Sequence, residues 1–161
     1  MATTNKKTAN AAELLQLVSF HLGGEEYGIE ILSVQEIIRM MELTRVPNSP
    51  DFVEGVINLR GKVIPVIGMR KRFNMPAIEH TQQARIIVVE VDGHDVGFVV
   101  DAVNEVLRIP TDTVEPPPRL AKVEREMVKG VGKLENRLLL LLDVQKLLSH
   151  TEQAVMAEVA A

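Results

Sequence analysis

Short apolar runs separated by turn residues recur along the whole chain, and one pair of them organises the rest. Val56, Ile57 and Leu59 lead into a polar turn over 58–62; Val63, Ile64, Val66 and Ile67 lead out of it, and a short basic helix over 69–73 follows. β-Branched residues dominate both runs, which favours extended backbone. Gly61 gives the turn backbone freedom, and Pro65 predicts that the second strand has an unpaired N–H side there. Arg60 stands beside the turn. A guanidinium is almost never buried unpaired, so it is either solvated or aimed at a partner.

The same pattern returns near the C-terminus. Gly55, Val56 and Leu59 correspond to Gly130, Val131 and Leu134; the apolar run 63–67 corresponds to 138–142, and Lys71 to Lys146. Upstream, Tyr27-Gly28-Ile29 and Val34 to Met40 correspond to Val96-Gly97-Phe98 and Val103 to Ile109. Two modules repeated in the same order describe two similar halves of roughly seventy residues, each marginal alone by size.

The remaining pattern fills in around this duplication. Leu15, Leu17, Ser19 and His21 alternate with Gln16, Val18, Phe20 and Leu22 up to Gly23-Gly24, which reads as a strand and hairpin turn returning through 26–31. Val34, Ile37, Ile38 and Met41, at spacings of three and four, suit a short amphipathic segment or an irregular strand, and are read here as a helical turn. Residues 46–50 read as a loop and 74–84 as a polar linker. The run 85–91 is a strand, Asp92-Gly93 a hairpin signal into 96–100, and 103–109 continues the sheet. Three consecutive prolines make 111–118 a rigid extended crossover. Residues 122–126 read as a helical turn or exposed loop, 130–134 and 138–142 form the last hairpin, and Asp143 is placed to cap a helix over 144–149. Many short strands predict an all-β fold with a few short helices, and two copies predict two barrels. The ends, 1–14 and 151–161, read as a flexible arm and a tail around a folded part over 15–150, whose halves interleave near 74–84 and at the C-terminal helix.

Composition narrows the function. With 161 residues, 46% hydrophobic and 25% charged, the chain suits one compact domain or two small subdomains sharing an interface. It has no Cys, which excludes disulfides and thiol catalysis. A net charge of −4, no Trp and one Tyr give no drive toward nucleic acid. No apolar run approaches the ~18 residues that span a bilayer, and the polar N-terminus lacks a signal-peptide core.

Enzyme chemistry has little to stand on. His21, His80, His94 and His150 lie far apart without metal-ligand spacing, so no metal or other cofactor is expected. Neither a nucleophile elbow nor a phosphate-binding loop occurs. Asp92, Asp95 and Asp101 would be separated by strand alternation. Arg70, Lys71 and Arg72 read as the solvated face of the short helix. Binding chemistry is better supplied. Glu36 sits in an apolar face made by Val34, Ile37 and Ile38, either as that segment's solvent side or, with Arg60, as the acid and base that set the register of a helix docked in a groove.

With Gly55, Val56, Ile57, Asn58, Leu59 and Arg60 ahead of Pro65, and with Glu26-Tyr27-Gly28-Ile29 and Val34-Gln35-Glu36-Ile37-Ile38 upstream, the sequence resembles the CheW coupling proteins of bacterial chemotaxis over about residues 15–149. The resemblance implies two SH3-like five-stranded β-barrels packed side by side, and a cytoplasmic, non-enzymatic scaffold without its own membrane insertion. Such a scaffold joins the tip of methyl-accepting chemoreceptors to the regulatory domain of the histidine kinase CheA. It also implies roles: Val34, Glu36, Ile37, Gly55, Asn58 and Arg60 in receptor docking, and the loop 115–120, here with Glu115 and Leu120, in one kinase contact. The chain departs from some relatives at Glu115 and Leu120, where a base and an aromatic occur, and at Gly68, which replaces a common Asp ahead of the first helix while Asp143 keeps it in the second copy. The competing readings are a small-molecule-binding β-barrel sensor and, further off, a hydrolase or transferase.

Overall fold

The alternating run near the start becomes β1 (Leu14–Leu22), which turns at Gly23-Gly24 into β2 (Glu25–Glu30). The computed structural model describes residues 13–117 and 127–147. A 3₁₀ turn, Ile31–Ser33, leads to β3 (Val34–Arg39); β4 (Val53–Leu59) and β5 (Lys62–Gly68) form the organising hairpin, closed by α1 (Met69–Arg72). Then come β6 (Arg85–Val91), β7 (His94–Val100), β8 (Ala102–Pro110), the 3₁₀ turn Thr111–Thr113, β9 (Val114–Glu115), β10 (Val128–Lys133), β11 (Leu138–Leu142) and the 3₁₀ turn Val144–Lys146. The turn expected over 122–126, residues 148–149 of the last helix and the tail 151–161 lie outside the described residues. Pairing begins at Leu14, opposite Pro110, one residue before the expected start of the folded part.

The strands make two sheets, β8-β1-β2-β11-β10-β9 and β3-β6-β7-β5-β4. The sequence halves are therefore not the structural units: the first hairpin belongs to the sheet completed by the last strands. The chain passes between sheets at Ile31–Ser33 and returns at Asp101. Hence 103–109 does not continue the sheet of 96–100, and the linker 74–84 joins α1 to β6 within one sheet rather than marking the interleaving point.

Alternation sorts the side chains into three cores. Ile57, Ile64, Val66, Ile86, Val88 and Val99, with Ile38 from the opposite edge strand, fill the five-stranded sheet. Leu17, Ile109, Leu139 and Leu141, with Leu107 of β8 and Val114 of β9, do so for the six-stranded sheet. Edge strands that share one core mean that each sheet curls around its own interior. The largest core lies between the sheets and takes the opposite faces: Val18, Phe20, Tyr27 and Ile29 from one, Ile87, Val89, Val96 and Phe98 from the other. The central parts of the hairpins β1–β2 and β6–β7 are thus buried on both faces, which is why 86–89 and 96–100 read as nearly continuous apolar runs. Gly28 and Gly97 keep the interiors closed; a Cβ there would stand 2.9 Å from Leu139 and 2.8 Å from Ile86.

The duplication is visible in the hydrogen-bond registers. Val66 lies opposite Gly97 in the parallel pair β5–β7, and Leu141 lies opposite Gly28 in β11–β2. Corresponding bulges recur: between Val34 and Glu36 on β3 and opposite Ser19/Phe20 on β8, and between Val53 and Gly55 on β4 and Val128 and Gly130 on β10. The first bulge corrects the helical turn expected at 34–41. One extra residue in the strand, Gln35, shifts the period-two pattern and leaves apolar spacings of three and four without any helix. Pro65 lies opposite Val56, whose N–H and C=O both go to Thr44, so its missing N–H faces β7, where the parallel ladder starts only at Val66. The caps differ as the sequence suggested: Asp143 accepts from the Gln145 N–H at 3.1 Å, whereas Gly68 gives α1 no side-chain cap.

Candidate docking site

Type I′-like backbone at the β4–β5 turn, with Arg60 at φ 54° and Gly61 at φ 83°, lifts Arg60 out of the sheet. Asn58 fixes that turn, its Oδ1 accepting from the Gly61 N–H at 2.9 Å. Arg60 then grips Glu36 with both prongs of its guanidinium: Nη1 donates to Oε2 at 3.1 Å and Nη2 donates to Oε1. β3 and β4 are the two edges of the five-stranded sheet, so this pair bridges the seam where the sheet curls onto itself. Arg60 remains 70% exposed. The hydrogen bonds and charge of Arg60 hold the Glu36 carboxyl below its ordinary range and raise the guanidinium in turn.

The other expected receptor residues play different parts. Gly55 is buried, at φ 150°, and a Cβ there would stand 2.6 Å from the Thr44 carbonyl oxygen. Its place allows residue 44 to pair with Val56, N–H to O at 2.9 and 2.8 Å. Gly55→Ala should therefore destabilise the fold by about 1–3 kcal/mol by forcing this close approach apart, measured as a lower Tm; an unchanged Tm would contradict the assignment. Val34 packs against the core between the sheets. Ile37 does not share a face with Glu36: alternation leaves Glu36 and Ile38 half-buried and Ile37 on the other side, 38% exposed. The structure thus gathers Glu36, Asn58 and Arg60, keeps Val34 and Gly55 as backbone and packing supports, and sets Ile37 apart. Sequence reasoning missed Val63, an exposed apolar side chain opposite Asn58 in the hairpin register. Counting the strand period outward from the turn would have found it.

On the second sheet, Glu115 lies exposed on the edge strand β9, opposite Val131, with Lys133 Nζ 3.0 Å from its carboxylate. Leu120 lies outside the described residues. The turn 134–137 carries the counterpart of the Arg60 seam contact in Arg137, whose Nη2 lies 3.4 Å from Glu105. Arg137 Nε also meets Glu26 Oε1 at 2.7 Å, as Lys62 meets the corresponding Asp95 at 2.7 Å. Glu26 is buried, with Ser19 Oγ donating at 2.6 Å and Asn104 Nδ2 at 3.3 Å.

The run Arg70-Lys71-Arg72 is not a solvated face. Arg70 makes a two-pronged contact with Asp101, Lys71 lies 3.3 Å from Glu54, and Arg72 Nε donates to the Leu147 carbonyl at 3.0 Å. Burial pushes the Glu26 carboxyl up, but hydrogen bonds from Ser19 and Asn104 and the charges of Arg137 and His21 outweigh it, so it titrates below its ordinary range. The Arg70 hydrogen bonds do the same for Asp101. Both groups bind protons more readily when unfolded, so their contribution is complete above the ordinary carboxylate range and is lost as pH falls below about 4. Acid titration followed by circular dichroism should show stability flat from about pH 7 to 5 and falling below about pH 4, with part of that slope removed in Glu26→Gln and Asp101→Asn. Equal slopes in all three would refute the attribution.

Among the described residues no His, Cys, Asp or Glu group could hold a metal ion, and no helix is long and apolar enough to cross a membrane. Among the described residues, side chains fill the interiors of the curled sheets. A cleft of about 220 Å³ is lined by Met69, Arg70, Ile78, His80, Val99 and Asp101.

Comparison with known proteins agrees with this architecture. Residues 16–152 match the CheW-like domain family. The chain is 39% identical to a chemotaxis protein CheW of Klebsiella aerogenes over 158 residues, covering 98% of this chain and 95% of that protein. It is 35% identical to a chemotaxis protein CheW of Helicobacter pylori, covering 91% and 89%. The crystal structure of the scaffolding protein TtCheW from Thermoanaerobacter tengcongensis superposes with a TM-score of 0.80 at 36% identity, covering 86% of this chain and 94% of that one.

Proposed function

The chain belongs to the CheW family, whose members are scaffolds rather than enzymes, and we propose that it is a chemotaxis adaptor that joins the cytoplasmic tip of methyl-accepting chemoreceptors to the regulatory domain of the histidine kinase CheA. Its place is the cytoplasm, against arrays of membrane-anchored receptors. The observation that carries the receptor half is the Glu36–Arg60 pair at the seam of the five-stranded sheet, on a turn fixed by Asn58, with the exposed apolar Val63 opposite Asn58 in the same hairpin. A helical receptor tip fits such a surface: apolar contact supplies affinity, and one acid beside one base fixes register. Gly55 and Val34 act beneath it by setting the strand positions, and Ile37 offers an apolar contact on the neighbouring face. One kinase contact is assigned to the loop 115–120 with Glu115 and Leu120, which starts from Glu115 on β9 of the other sheet.

The mechanism is positional. The adaptor holds receptor and kinase in fixed relation so that a receptor conformational change biases the kinase, which requires different contacts in the two signalling states. The test is titration of the full chain with a receptor cytoplasmic fragment and, separately, with the isolated kinase regulatory domain. Binding of both supports the reading; a folded sample that binds neither refutes it.

A further inference from the structure

The two crossings between the sheets occupy corresponding places in the duplication, because the offset that carries Gly28 to Gly97 also carries Leu32 to Asp101. They are built differently. At Asp101, Arg70 Nε donates to Oδ1 at 3.0 Å and Nη2 to Oδ2 at 2.7 Å. The Gly23 N–H donates to the same Oδ2 at 2.9 Å, and the Asp101 N–H donates to the His21 carbonyl at 3.0 Å. Arg70 Nη1 also holds the Pro76 carbonyl at 2.9 Å. One carboxylate thus ties α1 of the five-stranded sheet and the linker after it to the β1–β2 turn of the six-stranded sheet. Both side chains are mostly buried, 17% and 24% exposed.

At the other crossing, Ile31–Ser33, no residue is buried, no side chain caps the turn, and Leu32 is 95% exposed. The counterpart of Arg70 is the neutral Gln145, which accepts from the Asp92 N–H at 3.3 Å and donates to the Glu90 carbonyl at 3.1 Å. The nearby Lys129–Glu30 pair joins two strands of one sheet and ties nothing across. The apolar layer between the sheets, against which Ile31 also packs, holds them close at both crossings, and at Asp101 alone a two-pronged charged contact adds a directional restraint to it.

We propose that Arg70 and Asp101 are positioning residues that pin one crossing, so that the two curled sheets shift relative to each other about that pin, with the Ile31–Ser33 crossing as the compliant end. In its functional half this inference rests on the adaptor reading: with the receptor surface at Glu36–Arg60 on one sheet and one kinase contact starting at Glu115 on the other, the pin sets the geometry in which receptor and kinase are held.

The absence of cysteine makes a clean test, because Val63→Cys and Leu138→Cys place one spin label on each sheet at exposed, corresponding positions. In the full chain without partners, the label-to-label distance distribution is expected to be narrow in wild type, broad in Asp101→Asn and intermediate in Arg70→Lys, which keeps the charge but loses the fork. The reverse design, Leu32→Asp with Gln145→Arg, recreates the pin at the compliant end and is expected to narrow the distribution. Distributions unchanged in folded Asp101→Asn and Arg70→Lys overturn the pin. In a reconstituted assay, Asp101→Asn is expected to bind each partner alone as wild type does while receptor control of the kinase falls by about fivefold or more. Broadened distances with unchanged receptor control overturn the functional half. Wild type that binds neither partner removes the adaptor reading instead, and leaves the pin to stand or fall on the distances.

Discussion

Arg60→Glu is expected to weaken binding of a receptor tip fragment by at least about tenfold while leaving the kinase regulatory domain bound as before, since truncating or reversing one charge of a recognition pair commonly has effects of that size. The substitution does two things at once. It removes the cation from the surface, and it sets two carboxylates against each other across the seam where Glu36 and Arg60 now meet. The two effects separate in the exchanged double variant, Glu36→Arg with Arg60→Glu, which restores an ion pair in reversed polarity. If the pair serves only to close the seam, the double variant recovers both Tm and receptor binding. If the partner reads each charge in place, Tm recovers and receptor binding does not. The second result is expected, because Arg60 is far more exposed than a seam contact requires.

Glu26→Ala is expected to cost about 3 kcal/mol of stability, because it removes a buried carboxylate on which three donors converge. Arg137 would lose its closest carboxylate, and Ser19 and Asn104 their shared acceptor. For a chain of this size that corresponds to a fall in Tm of roughly 6–12 °C. The duplication supplies its own control. Asp95 stands at the corresponding place on the other sheet, paired with Lys62, but Lys62 is 64% exposed and among the described residues no Ser or Asn donor joins them. Asp95→Ala should cost about 1 kcal/mol or less, as exposed pairs do. Equal losses from the two variants would mean that burial is not what gives the Glu26 cluster its weight.

The repeat of Gly55–Lys71 in 130–146 was legible because paired strands demand apolar alternation and turns demand Gly, and both survive divergence at corresponding positions. It carried the all-β fold, the hairpins and the correspondence of the halves. Which strands share a sheet was not legible: β1–β2 and β3 are adjacent in sequence, and only the uncapped turn Ile31–Ser33 marks where the chain changes sheet. The bulge at Gln35 imitated helical spacing, since one inserted residue turns a spacing of two into three. Glu36 and Arg60 were found as a pair of interest from charge beside apolar runs, but their mutual contact depends on the sheet curling, which brings its edges together. Arg70 was misread for the same reason. Its partner Asp101 is remote in sequence, and a basic run on a four-residue helix gives no sign that a carboxylate waits at a crossing.

In the adaptor reading proposed above, one chain holds receptor and kinase at the same time through different surfaces. The most direct measurement of this is a titration in which the full chain, saturated with the kinase regulatory domain, is mixed with a receptor cytoplasmic fragment and the mass of the complex is followed by light scattering. A three-component complex is expected, which Arg60→Glu reduces to adaptor and kinase alone. Release of the kinase domain as the receptor fragment binds would contradict it, because the two partners would then share one surface.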